Sequence, residues 1–340
     1  MRSAHRASDG SRTPRRPGAE PTAGVPVPEW DLQTTFSVAR VEDDPGRRTG
    51  RLLFLDGIEC SYVDLADPLH LEFGYVRRIA DVVDLVRPPR APVDAVHIGG
   101  GGVTLPRYVA ATRPRSRQVV YEKDGGLVEI ARRYLGLRTS PTLRVRIGDA
   151  RERLGERPDA SADLVVGDAF DGVMVPAHLA TVEFAAEVRR VLRPDGVYVL
   201  NVIDGPPLRA SRTAAATLLA GFPAVAMVTG HDLVRERDAG NVVFVASASP
   251  LPLPALSRAA ARGALPDVVL GRPEVTEFAG TARPLHDADG ERWKAAAPDP
   301  DLPVPIQPVR AAPLPAPPVA TTPRQSDSDG PDRTDRVDAS

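Results

Sequence analysis

The chain has 340 residues, 42% of them apolar, and a formal net charge of −2, which allows one large domain or two ordinary ones with a sizeable core. The near-neutral balance excludes a general attraction to nucleic acid or anionic membrane, and no apolar stretch approaches the roughly 20 residues of a membrane span. The single cysteine, Cys60, excludes an internal disulfide and a cysteine zinc site.

Residues 1–29 are rich in Ser, Arg, Pro, Gly and Ala without a hydrophobic period and are expected to be a disordered tail. Their arginines precede no apolar segment, so no signal peptide is expected and a cytoplasmic location follows. Residues 30–68 read as a small N-terminal β unit: 34–41 and 51–63 alternate, with turn chemistry at Asp43-Asp44-Pro45-Gly46 between them. Asp67-Pro68 predicts a helix start, with Leu71, Val76, Ile79, Val82 and Val83 near helical spacing. Residues 69–292 read as the main domain. Within it, strands are predicted at 93–98, 117–121, 143–147, 163–167, 197–203, 224–229 and 241–247. Helices are predicted at 103–112, 125–135, 178–192 and 208–220. This alternation predicts an α/β fold: a mostly parallel seven-stranded sheet with helices on both faces, its last two strands forming an antiparallel pair. Residues 293–340 are expected to be a disordered Pro-rich tail.

The first strand of the main domain runs into Gly99-Gly100-Gly101-Gly102 and then a helical pattern. Glycines at such a turn let a ligand approach the backbone, and the helix N-terminus behind them offers free N–H groups. Glu122 ends the next strand, where an acid can accept hydrogen bonds from ribose hydroxyls. Later strands lead to Gly148-Asp149-Ala150, to Asp168-Ala169-Phe170-Asp171, and to Asn201 and Asp204. Acids at strand ends also cap the helices that follow. Their recurrence at successive strand ends points to a ligand site at that edge of the sheet. Asp149 stands where it can accept from an adenine amino group, with Ala150 leaving room for the ring. Asp168 and Asp171, three apart on a turn, can attract a cation and deprotonate an amine. A nicotinamide cofactor fits less well, because Leu105 stands where the third glycine of G-x-G-x-x-G belongs.

At these residues the chain resembles the spermidine synthase (aminopropyltransferase) family, and most of all its divergent spermidine-synthase-like members from actinobacteria. The resemblance covers about residues 34–250. It rests on Leu55-Asp56-Gly57, Gly99–Gly102, Glu122-Lys123-Asp124, Gly148-Asp149-Ala150, Asp168-Ala169-Phe170-Asp171 and the segment Arg189 to Gly196. It implies a Rossmann-like S-adenosylmethionine-dependent transferase fold, with the small β unit in front. It also implies transfer of an aminopropyl group from decarboxylated S-adenosylmethionine to a diamine such as putrescine, giving methylthioadenosine. On it, Gly99, Gly100, Gly101, Glu122, Asp149 and Ala150 hold the donor, and Asp168 is the catalytic base. His70, Asp168, Asp171 and Pro176 contact the acceptor. No metal and no tightly bound cofactor are expected. The partner is a small diamine rather than nucleic acid or membrane, and a homodimer is implied.

The chain departs from the family at Gly102, where the family's loop has an aspartate, and at Cys60, where it has a glutamine. Losing a carboxylate beside a dication weakens the case for putrescine. Two alternatives stay open: a methyltransferase using intact S-adenosylmethionine, and a non-catalytic nucleoside-binding protein of the same fold.

Overall fold

Two sheets organise the chain. The computed structural model describes residues 25–263 and 267–298. The expected tails therefore lie for the most part, at 1–24 and 299–340, outside the described residues. The first sheet is antiparallel in the order β1 (Leu32–Gln33), β2 (Val38–Asp43), β3 (Gly50–Leu55) and β4 (Ile58–Asp64). The run expected at 51–63 is broken by Asp56 and Gly57, both at positive φ, into a hairpin. Asp-Gly suits such a two-residue turn because its twist matches that of the flanking strands.

Asp64 ends this unit. Its buried carboxylate accepts from Thr49 Oγ1 (2.7 Å), Ala66 N (2.8 Å) and Asp67 N (2.9 Å), and it pairs with Arg47. These bonds wind residues 64–70 into turns, so the helix expected at Asp67-Pro68 begins only at Gly74. Its apolar positions still form one buried stripe on α1 (Gly74–Val86).

The alternating elements follow: β5 (Asp94–Ile98), α2 (Thr104–Thr112), β6 (Arg117–Glu122), α3 (Gly125–Tyr134), β7 (Leu143–Ile147), α4 (Ala150–Gly155), β8 (Ala162–Gly167), α5 (Val182–Val191), β9 (Leu192–Asp204) and α6 (Arg209–Gly221). The chain closes with β10 (Ala224–Gly230), α7 (His231–Val234), β11 (Gly240–Ser247), α8 (Leu253–Ala260), β12 (Asp267–Leu270), α9 (Arg272–Ala279) and α10 (Gly290–Lys294). The strand order is β12-β10-β11-β9-β8-β5-β6-β7. Strands β5 to β9 pair in parallel, and β10, β11 and β12 add antiparallel. The sheet thus has eight strands rather than the expected seven. The extra one, Asp-Val-Val-Leu, is too short to carry a periodic signal.

Parallel strands covered on both faces should be apolar throughout, and every residue of β8 is buried. Helices α1, α2 and α8 pack on one face, and α4, α5, α6, α9 and α10 on the other. The N-terminal sheet packs on α3, where Ala39, Val41 and Leu53 meet Leu127, Val128 and Ala131.

Two boundaries move. The helix expected at 178–192 divides into a 3-10 turn, Ala177–Leu179, and α5, because Thr181 caps α5 by accepting from Phe184 N (3.2 Å). The boundary expected at 293 falls inside α10, whose Trp293 is only 2% exposed and donates Nε1–H to Val175 O (2.7 Å).

Candidate active site

In an open parallel sheet, ligands bind beyond the carboxyl ends of the strands where the strand order reverses. Here β5 leads to β6 and β7 on one side, and β8 and β9 lie on the other. A cavity of about 430 Å³ opens at that place. Its wall includes the glycine run, Glu122, Asp149, Ala150, Asp168, Asp171 and Pro176, so all but one of the site residues expected from the sequence come together. His70 is the exception. It lies outside the cavity lining, with Nε2 2.9 Å from Glu72 Oε2 and its ring 5.6 Å from that of Tyr62. The turns wound by Asp64 carry it away.

The glycines have separate duties. Gly99 has φ +91°, and a Cβ there would lie 2.2 Å from the Asp168 carbonyl oxygen. Only a glycine lets the β5 and β8 loops cross so closely. Gly100 donates its N–H to Glu122 Oε2 (2.7 Å), tying the first loop to the end of β6. Gly102 faces the N-terminal sheet: its N–H donates to Ser61 Oγ (3.1 Å), and a Cβ would lie 2.3 Å from that oxygen. The position that carries an acid in the expected family pattern is occupied here by the approach of β4.

The acids divide by their partners. Burial pushes the Glu122 carboxyl up, against the backbone N–H groups of Asp124 and Gly100 that favour its charged form. Asp124 caps α3 through Gly126 N and Leu127 N, and also accepts from Thr35 N and Phe36 N. It thereby anchors the segment that places Phe36 at the cavity, 4.9 Å below the Lys123 ammonium. Asp149 caps α4 through Arg151 N and Glu152 N. Burial acts to raise its pKa, but those N–H groups and His178 outweigh it and hold the carboxyl below its ordinary range. Asp204 accepts from Gly205 N and Ser211 N and stays outside the cavity.

Asp168 caps nothing. Loss of water contact pushes its pKa up to about 6, partly offset by a hydrogen bond from Asn201 Nδ2 (2.9 Å). Asn201 is 1% exposed, and its Oδ1 has no partner among the described residues. Asp171 is exposed, and its N–H donates to Met174 O (2.8 Å) in a narrow turn.

Several wall residues escaped the sequence reading. Glu59, Cys60 and Ser61 come from β4 and Tyr75 from α1. Burial and the nearby Asp168 push both the Cys60 thiol and the Tyr75 phenol up, so both stay neutral. His97 also lines the cavity, but burial lowers its pKa to about 4 and Gln118 Oε1 holds Nε2 at 2.9 Å. Of these, only Cys60 carried a sequence signal, since it replaces a glutamine of the expected pattern. His178 had none, lying within a segment that read as helix.

No family model matches the chain. A polyamine aminopropyltransferase of Vibrio vulnificus is 30% identical over 197 residues, covering 57% of this chain and 62% of that protein. Polyamine aminopropyltransferase 2 of Streptomyces coelicolor is 40% identical over 159 residues, covering 43% of this chain and 28% of that protein. The chain thus spans less than two thirds of the length of either relative. The crystal structure of a probable spermidine synthase from Corynebacterium glutamicum matches with a TM-score of 0.71 at 29% identity, covering 76% of this chain and 96% of that one. In sequence and in fold, the chain is spermidine-synthase-like.

Proposed function

We propose that the cavity transfers an aminopropyl group from decarboxylated S-adenosylmethionine to a diamine such as putrescine. The observation that carries this reading is the Asp168–Asn201 pair in the wall of an acid-lined cavity at the sheet's switch point. A carboxylate with a pKa of about 6 is ionised at neutral pH yet basic enough to take a proton from an ammonium in the transition state. On this reading Glu122 accepts from the ribose hydroxyls, while Asp149 and Ala150 receive the nucleobase. Gly99, Gly100 and Gly101 let the donor approach the backbone. Asp171 and Pro176 flank the acceptor, and His70 has no part.

The chemistry is a single displacement. Asp168 takes a proton from the acceptor nitrogen, whose lone pair attacks the methylene next to sulfur. A C–N bond forms, the C–S bond breaks, and its electron pair neutralises the sulfonium. The products are spermidine and methylthioadenosine. No bound cofactor enters. A homodimer is part of the same proposal, checked by light scattering.

The second reading, methyl transfer from intact S-adenosylmethionine, is favoured by one observation. The glycine loop presents no carboxylate at Gly102 that would repel the carboxylate of the intact donor. One assay separates the two. The purified chain is supplied with either donor and a panel of amines, and the nucleoside product is identified. Methylthioadenosine formed only with an amine, and lost in Asp168→Asn, supports aminopropyl transfer. S-Adenosylhomocysteine alone moves the assignment to methyl transfer. Donor binding without turnover leaves a nucleoside-binding protein.

A further inference from the structure

His178 lies on the 3-10 turn after Pro176, in the cavity wall, with Nε2 2.8 Å from Asp149 Oδ2. Asp149 is the acid whose position suits a nucleobase amino group. An ionised carboxylate accepts at about four places and donates at none. On Asp149, Oδ1 already accepts from Arg151 N (2.9 Å) and Glu152 N (3.2 Å). His178 takes a place on Oδ2. Since the carboxylate only accepts, the imidazole must carry hydrogen on Nε2. One acceptor place on Oδ2 is left.

The backbone that carries the imidazole is held in place, while the half-exposed ring itself bonds only Asp149. Arg151 donates to the His178 carbonyl (3.1 Å), and its guanidinium grips both oxygens of Asp287 at 2.7 Å. Asp287 Oδ1 also accepts from Thr181 Oγ1 (2.7 Å). The turn is thus braced on both sides of His178 by groups that do not enter the cavity wall.

We propose that His178 is a specificity-determining residue. By occupying and orienting Asp149 Oδ2, it leaves one acceptor-only place, which selects a nucleoside whose purine offers an amino group at position 6 over one that offers a carbonyl there. A carbonyl oxygen facing an ionised oxygen has no proton to share and is rejected. Without the imidazole, Oδ1 stays held by the two backbone N–H groups, but the vacated place on Oδ2 admits a water that can donate to a 6-carbonyl, so either base is tolerated. This inference rests on the nucleoside reading of the cavity and names the residue that sharpens it.

The test is calorimetric binding of 5′-methylthioadenosine and 5′-methylthioinosine to the full chain. The wild type should prefer the 6-amino nucleoside by at least about tenfold, as a site built around one hydrogen bond does. His178→Ala should shrink that ratio several-fold, chiefly by improving the 6-oxo nucleoside relative to the other. His178→Gln, which keeps an N–H donor, should restore part of the ratio and supplies the same readout if the alanine variant does not fold. An unchanged ratio in His178→Ala, or parallel loss of both affinities, overturns the inference while leaving the nucleoside site intact. A wild type that binds neither nucleoside overturns both.

Discussion

Asp168 and Asn201 form the most informative contact in the molecule. On the proposed reading Asp168 is the base, and a base works only when it has lost its proton, so kcat/KM should fall as pH drops below about 6 and level off above it. The Asn201 N–H favours the charged carboxylate, so Asn201→Ala should move that inflection to higher pH in a pH–rate profile. An inflection that stays in place would remove Asn201 from the mechanism. The same carboxylate opposes folding. Its folded pKa of about 6 lies above the ordinary 3.8, so its unfavourable contribution grows as pH rises from about 4 to about 6 and persists above. Asp168→Asn should therefore raise Tm at pH 7, on the order of 2 °C, with no gain at pH 3.5, as activity falls about 10²–10⁴-fold. Scanning calorimetry at the two pH values checks the sign. Asp168 was legible from the sequence because it ends a strand. Asn201's bond to it was not, because two residues on neighbouring strands meet only once the register is known.

Elements were legible where their periodicity ran long. Strands β5 to β8, β10 and β11 and helices α2, α3 and α6 fall close to the expected spans, since apolar runs bounded by glycine, aspartate or asparagine carry both type and position, whereas β9 begins five residues earlier, at Leu192. Short or composite elements were not. β12 has four residues, and the split at Thr181 turns on one hydroxyl accepting a single N–H. The final helix stayed hidden because its anchor, Trp293, stands alone in a polar segment. Its indole fills a place against Leu285 and Val175 in the core beneath the Asp168–Thr181 loop. Trp293→Ala should cost about 3–5 kcal/mol in urea denaturation. It should also loosen the loop that bears Asp168 and His178, seen as faster amide exchange at 170–180. Full stability in that variant would make the last described helix an ornament.

Across the whole molecule, the cavity is built by two sheets rather than one. The parallel sheet supplies the acids at its strand ends, and the N-terminal sheet supplies Glu59, Cys60 and Ser61 from the opposite side. No local pattern in the sequence announces that meeting, because it depends on how Ala39, Val41 and Leu53 seat on α3. Asp124 joins the halves: it caps α3 and holds Thr35 and Phe36 at once. Asp124→Ala should cost about 1 kcal/mol through the lost cap. It should raise KM for the donor more than it lowers kcat, because it frees the mouth and leaves the reacting groups in place. Steady-state kinetics with varied donor separates the two parameters.

The seating of Gly102 against Ser61 ties two positions far apart in the chain into one unit of inheritance. Neither can change alone without cost: an acid at 102 meets the Ser61 hydroxyl, while a smaller residue at 61 leaves a gap against a glycine. Gly102→Asp alone should fold poorly, and Gly102→Asp with Ser61→Gly should recover much of the lost Tm in a double-mutant cycle. A charged loop is then reached from this chain by a first substitution that costs stability, so residues 102 and 61 are expected to change together rather than one at a time.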